Sequence, residues 1–144
     1  MVAESLGIKL VEKNFSVEEG LRAARETIKS LKVFDPMEIR NSLSIYIALN
    51  FAKELGAKVV ATGDGGDELF GGYPWLFDLS PSELQESIEH MVDIWYFSTK
   101  DIGSSLGLEV IQPFIDPRMI ELALKIPPEL KGVVLEGGRK IGKW

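Results

Sequence analysis

The stretch from Ala57 to Tyr73, AKVVATGDGGDELFGGY, constrains this chain more than any other. Val59, Val60 and Ala61 form a short β-prone run, which predicts a strand buried on both faces. Directly after it come Gly63, Gly65, Gly66, Gly71 and Gly72, with Asp64, Asp67 and Glu68 set among them. Glycines permit positive φ and let a backbone approach a ligand closely. A glycine-rich turn at the carboxyl end of a parallel strand is also where open α/β sheets bind ligands. A loop built to hold a bare phosphate carries Lys and Ser or Thr, as in GxxxxGK[ST], and this one does not. Three acids on bare backbone instead suit a hard divalent cation, most simply Mg²⁺ shared between carboxylate and phosphate oxygens. The plain alternative is a solvated Asp-Gly turn, a common turn dipeptide.

Bulk properties narrow the class. With 144 residues, 45% hydrophobic and 26% charged, the chain fits one globular domain, residues 1–144, with a proper core. Its net charge of −6, from 22 acidic and 16 basic residues, disfavours a dedicated binder of nucleic acid or an anionic membrane, because phosphate contacts need clustered Lys and Arg. No apolar run approaches the roughly 20 residues that span a bilayer, and no signal peptide is visible. The absence of cysteine rules out disulfides, thiolate–zinc sites and cysteine nucleophiles. His90, the sole histidine, cannot form a histidine metal cluster. The cytoplasm is the default compartment.

In chain order, Met1 to Leu6 reads as the last turn and a half of a helix, with Gly7 where a C′ residue would sit and no N-cap ahead. Ile8–Val11 predicts a strand. Ser16 with Glu19 is a capping box that opens a helix to about Lys32, with Leu21, Ala24, Ile28 and Leu31 near one face. Asp35 followed by Pro36 starts a second helix to about Leu55, burying Ile39, Leu43, Ile47 and Phe51, and Gly56 stops it. Ser80–Pro81 starts a long helix through Trp95 and Phe97 on an apolar stripe of Leu84, Ile88, Met91 and Ile94. A shorter helix near Ile102–Leu106 ends at Gly107, Val110–Ile115 is extended, and Asp116–Pro117 opens a helix that Pro127 and Pro128 end. The tail from Gly132 to Trp144 shows no strong element. Two parallel strands separated by two helices do not make a stable sheet. Together with the uncapped start, this gives the expectation that part of a sheet lies in a complementary N-terminal segment or in another copy of the chain.

The run GDGGDELFGGY resembles the G-E-G-x-D-E-[LV]-F-G-G-Y signature of the synthetase domain of glutamine-hydrolysing asparagine synthetases. Downstream, Gly107-Leu108-Glu109 and Pro113-Phe114-Ile115-Asp116 resemble that family's G-x-E-x-R-x-P-F-L-D segment, and Met119–Pro127 the stretch after it. Lys140–Trp144 is similar to the start of its K-x-x-L-R segment. The resemblance implies an α/β fold of the adenine nucleotide α-hydrolase-like (N-type ATP pyrophosphatase, Rossmann-like) class, helix-rich, with a parallel sheet incomplete in this chain. It implies a reaction that adenylates the side-chain carboxylate of aspartate with Mg·ATP, releases pyrophosphate and lets ammonia displace AMP.

On the same grounds Asp67 matches the aspartate that helps hold Mg²⁺ on pyrophosphate. Gly63, Gly65 and Gly66 would lie against phosphate or the acyl-adenylate, and Lys143 would neutralise pyrophosphate. Asp64 stands where the family usually carries a glutamate that acts on the ammonia or acceptor side. It is one methylene shorter, about 1.5 Å less reach, so a carboxylate other than aspartate is an open acceptor. Glu68 reads equally as a helix first-turn acid, Asp116 as an N-cap, and Tyr73 and Phe70 as anchors of the loop. Several family features have no counterpart here: the S-G-G-x-D-S loop that binds ATP phosphates, the cysteine-initiated glutaminase domain, and the Arg whose place Ile111 takes. The resemblance therefore implies part of an active site. A related ATP-dependent ligase and a non-catalytic interaction module that kept the loop are the alternatives.

Overall fold

In the computed structural model residues 2–136 and 139–142 are described, those from 133 onward by their backbone only. In chain order the elements are α1 (Val2–Ser5), α2 (Val17–Leu31), α3 (Pro36–Glu54), β1 (Val59–Ala61), α4 (Gly66–Phe70), α5 (Pro81–Ile94), α6 (Thr99–Leu106), β2 (Glu109–Ile111), α7 (Pro117–Lys125), β3 (Val133–Glu136) and β4 (Arg139–Gly142). Single 3₁₀ turns lie at Pro74–Leu76, Pro113–Ile115 and Pro128–Leu130. The class is helix-rich α/β, with β1 and β2 forming a two-stranded sheet. The chain divides into two compact units, Met1–Val60 with Ser98–Glu109, and Ala61–Phe97 with Val110–Trp144.

In the first unit the helix starts follow their caps. Ser16 accepts from the Glu19 N–H while the Glu19 carboxylate accepts from the Ser16 N–H, and Asp35 accepts from the Glu38 N–H. The core gathers Leu49, Ile102, Leu106 and Leu108, with Leu31, Ile45, Tyr46 and Val60 against them. Beside it, α2 turns Gly20, Ala23 and Thr27 inward, and the Ser42 and Ser98 hydroxyls share a buried hydrogen bond of 2.7 Å. Small side chains let helices approach closely, so the buried face of α2 is set by size. Leu21, expected on that face, is exposed, and Ile39, Leu43, Ile47 and Phe51 of α3 are only half-buried. The fully buried positions of α3 are Ser42 and Leu49.

The expected strand Ile8–Val11 does not form. Residues 8–16 are irregular, and Ile8 and Leu10 are 60% and 64% exposed. A strand needs a neighbour to take its backbone groups, and the partner of β1 is β2 instead: the Glu109 N–H donates to the Lys58 carbonyl at 2.9 Å. Val59 is 48% exposed, so β1 is not buried on both faces as its sequence suggested. Apolar composition alone does not say whether anything covers a strand.

The second unit holds the glycine loop and packs α5 and α7 around Leu76, Leu84 and Ile88, with Tyr73, Leu79, Met91 and Leu124 at the margin. The Thr62 N–H donates to the Ile111 carbonyl at 2.9 Å, the same parallel register seen at Glu109 and Lys58. Ser80 makes a second reciprocal capping box with Glu83. The helix it opens stops at Ile94, short of the expected Phe97, because Trp95 turns to extended backbone at ψ 146°. Ile94, placed in the core stripe by its spacing, is exposed. After β2 the expected extended run to Ile115 closes into the turn at Pro113. The tail holds an antiparallel hairpin, β3 on β4, paired from Val133 with Gly142 to Glu136 with Arg139, where no strong element was expected. The run Val133-Val134-Leu135 before Gly137-Gly138 was its sequence signal.

Candidate functional site

The loop leaves β1 at Ala61 and enters α4 at Gly66. Gly65, its N-cap residue, has φ 89°, a left-handed conformation that favours glycine. A Cβ at Gly65 would also press within 2.8 Å of Cγ2 of Ile115, so this glycine is fixed twice over. Gly66 leaves ordinary room, 3.6 Å from the Phe114 ring, and a Cβ at Gly63 would meet nothing within 4 Å. The Gly66 N–H donates to the Gly63 carbonyl at 3.1 Å and the Leu69 N–H to that of Gly65 at 3.0 Å. Behind the loop sits the Pro113–Ile115 turn, with Phe114 also edge-on to Phe70 at 6.1 Å. Two motifs far apart in sequence thus back one another.

Two of the three acids take partners of their own. Oδ2 of Asp64 accepts from the Thr62 hydroxyl at 2.7 Å and from the Gln112 side-chain amide at 2.8 Å. Glu68 accepts a short hydrogen bond from the Tyr73 hydroxyl. Burial, and then the Glu68 carboxylate beside it, push the Tyr73 hydroxyl well above its ordinary pKa. Asp67 stands exposed in the first turn of α4. Its Oδ1 lies only 1.9 Å from where a Cβ of Gly72 would be, so Gly72 leaves the space that carboxylate fills. The loop then closes by the Gly72 N–H donating to the Asp67 carbonyl at 2.9 Å and the Gly132 N–H to that of Phe70 at 2.8 Å.

The sequence suggested that all three acids would face one cation. Among the described residues no three Asp, Glu or His side chains converge in that way. Hydrogen bonds explain the separation, since Glu68 and Asp64 are already engaged. What remains fits Mg²⁺ through a single carboxylate, Asp67. That is the usual arrangement where substrate phosphates and water complete the coordination shell.

Asp116, expected as an N-cap, accepts from the Arg118 N–H at 2.9 Å, and its side chain pairs with the Arg118 guanidinium. The Arg118 side chain, then its N–H, hold the Asp116 carboxyl below the ordinary carboxylate range. Tyr73 and Phe70 anchor the loop as their positions suggested. Lys143 lies outside the described residues. Thr62 and Gln112 were missed, and only the flanking motifs around each pointed to them.

A family model described as Asparagine synthase matches residues 1–101. The chain belongs to the asparagine synthase family. Among its relatives, the glutamine-hydrolyzing asparagine synthetase 1 of Arabidopsis thaliana is 35% identical over 149 aligned positions, covering 99% of this chain and 25% of the relative. Asparagine synthetase 2 of Oryza sativa subsp. japonica is 34% identical over 151, with the same coverage. Asparagine synthetase B of Escherichia coli is 32% identical over 136, covering 90% of this chain and 24% of the relative. The chain spans about a quarter of the length of these curated relatives. The asparagine synthase match includes the whole glycine loop and ends before the Pro113–Asp116 segment that packs behind it. Among the described residues no helix is long and apolar enough to cross a membrane.

Proposed function

We propose that residues 1–144 are part of the synthetase domain of an asparagine-synthetase-type enzyme, with the parallel sheet of the adenine nucleotide α-hydrolase-like fold. The exposed parallel pair β1–β2 supports the incomplete-sheet part of this reading, because parallel strands are ordinarily covered on both faces. A complementary N-terminal segment or a second copy would cover it.

The reaction is ATP-dependent amide formation. A carboxylate oxygen attacks the α-phosphorus of ATP and releases pyrophosphate; ammonia then attacks the acyl carbon, AMP leaves, and the nitrogen gives up a proton. Asp67 would hold Mg²⁺, which supplies positive charge to pyrophosphate as it departs. Gly63, with free space where a side chain would stand, lets a phosphate approach the backbone closely, Gly65 sets the bend, and Gly66 begins the helix beyond it. Lys143 completes the proposal on the pyrophosphate side. Asp64 would accept the proton from the attacking nitrogen.

The observation that carries the reading is the fixing of Asp64 at the carboxyl end of β1, with Asp67 seated over Gly72 one turn on. The short, tethered Asp64 also favours a second reading, a related ligase whose acceptor is a carboxylate other than aspartate. The test is ATP–pyrophosphate exchange with aspartate and with other acids. By itself the chain is expected to show weak nucleotide binding and no asparagine formation. Supplied with the segment bearing the S-G-G-x-D-S loop it is expected to exchange, and Asp67→Ala should abolish this. Exchange with another acid but not aspartate selects the second reading, and none with any acid sinks both.

A further inference from the structure

We infer, resting on the role given to Asp64 above, that Gln112 is a positioning residue: its side-chain amide sets which carboxylate oxygen Asp64 offers to the attacking amine. Gln112 is itself well fixed. It follows β2 directly, beside the Ile111 carbonyl that accepts from Thr62, and its own carbonyl accepts from the Ile115 N–H at 3.3 Å. Only 7% of it is exposed. From that base its Nε2 reaches the Asp64 carboxylate at 2.8 Å, across 48 residues of sequence. Thr62 donates to the same oxygen from two residues away.

Both donors are neutral. A primary amide or a hydroxyl orients a carboxylate while leaving its negative charge in place, whereas Lys or Arg would offset the charge. With Oδ2 taking both bonds, Oδ1 carries none among the described residues and is the oxygen left to accept from an amine N–H. The clamp also accounts for the shorter acid. An aspartate has one side-chain torsion fewer than the glutamate of the motif it resembles, and two donors on one oxygen hold it in a single orientation. Neither residue alone shows this.

The test is a length swap. Asp64→Glu lengthens one partner by a methylene and Gln112→Asn shortens the other, so each single change should spoil the clamp and the pair should restore it. The activity readout is the ratio of amide formation to ATP–pyrophosphate exchange, measured with this chain and the S-G-G-x-D-S segment together. Exchange precedes amine attack, so the ratio isolates the step Asp64 serves. Each single variant is expected to lower the ratio roughly tenfold, the cost of a misplacement near 1 Å, and the double variant, whose carboxylate is held again but a methylene displaced, to stay low.

A second readout needs no catalysis. Hydrogen exchange of the Gln112 side-chain amide, followed by NMR on this chain, is expected to be slow and to accelerate in Asp64→Ala. A ratio unchanged in Gln112→Asn, or a Gln112 amide indifferent to Asp64→Ala, overturns the inference. Absence of exchange in the unaltered protein overturns the synthetase reading and this role with it. That result is distinct from normal exchange with an unresponsive ratio.

Discussion

An added methyl at Gly72 would land 1.9 Å from Oδ1 of Asp67, closer than any real contact. The φ of Gly72 is not in the left-handed region, so alanine meets no φ penalty there, and its severest clash is with the carboxylate, with the Asp67 Cα next at 3.1 Å. Gly72→Ala is therefore expected to swing Asp67 aside and to weaken binding of Mg·pyrophosphate about as much as Asp67→Ala, roughly tenfold on the scale of one lost charged contact. Calorimetric titration of both variants checks it, and wild-type affinity in Gly72→Ala would remove Asp67 from the metal. Tyr73 gives a prediction with a pH window. Its folded pKa lies above the ordinary 10.0, so the stability it lends is complete below pH 10 and is lost as pH rises further toward the folded value. Melting temperature should fall above pH 10 in the wild type and fall less in Tyr73→Phe, which should itself cost about 1–2 kcal/mol at neutral pH. Residue chemistry was half legible here. Tyr73 as an anchor followed from the motif, but the bond from Gln112 to Asp64 obeys no local spacing, so only folding reveals it.

Helix starts were the most legible elements, because a cap is a contact within four residues. Ser16, Asp35, Ser80 and Asp116 all cap as their sequences required. Removing the Ser80 hydroxyl leaves the Glu83 N–H without its acceptor at the exposed start of α5. Ser80→Ala should cost about 1 kcal/mol, read as a lower denaturation midpoint at unchanged slope. An effect below a few tenths would mean that Glu83 holds the box alone. Strands were less legible, since each needs a partner the local sequence does not name. Ile8–Val11 has the composition of a strand and remains irregular, while β1 pairs with a segment reached only after α6. The buried face of α2 was misplaced for a related reason: Gly20 lies against the Phe15 ring and Ala23 and Thr27 face inward with it, whereas hydrophobicity alone favours Leu21. The pair β3–β4 was legible only in its first strand, the β-prone run Val133-Val134-Leu135 ahead of Gly137-Gly138, because Arg139-Lys140-Ile141-Gly142 has no such composition.

At the scale of the whole molecule, apolar side chains lie open to solvent well beyond the occasional exposed leucine of a soluble surface. Ile8, Leu10, Val11, Phe34 and Leu55 are exposed, Phe34 by 86%. The apolar groove lined by Val11, Phe15, Ile47, Phe51, Ala52 and Leu55 has a cavity volume of about 440 Å³. α3 carries apolar residues around its circumference, the pattern of a helix covered on all sides. Among the described residues the two-stranded parallel sheet adds unpaired edges. Opposing association is the net charge of −6, whose repulsion acts over a Debye length of about 10 Å at 0.1 M salt and about 3 Å at 1 M. The purified chain is therefore expected to self-associate in a concentration-dependent way, and more strongly in high salt. Light scattering after size exclusion measures this directly. Leu10→Lys combined with Phe34→Lys should return the mass toward the 16.0 kDa of a single chain, since neither side chain belongs to a core that folding requires. A monomer at every concentration and salt would show that these faces are tolerated in water, and the case for a covering segment would then rest on the sheet edge alone.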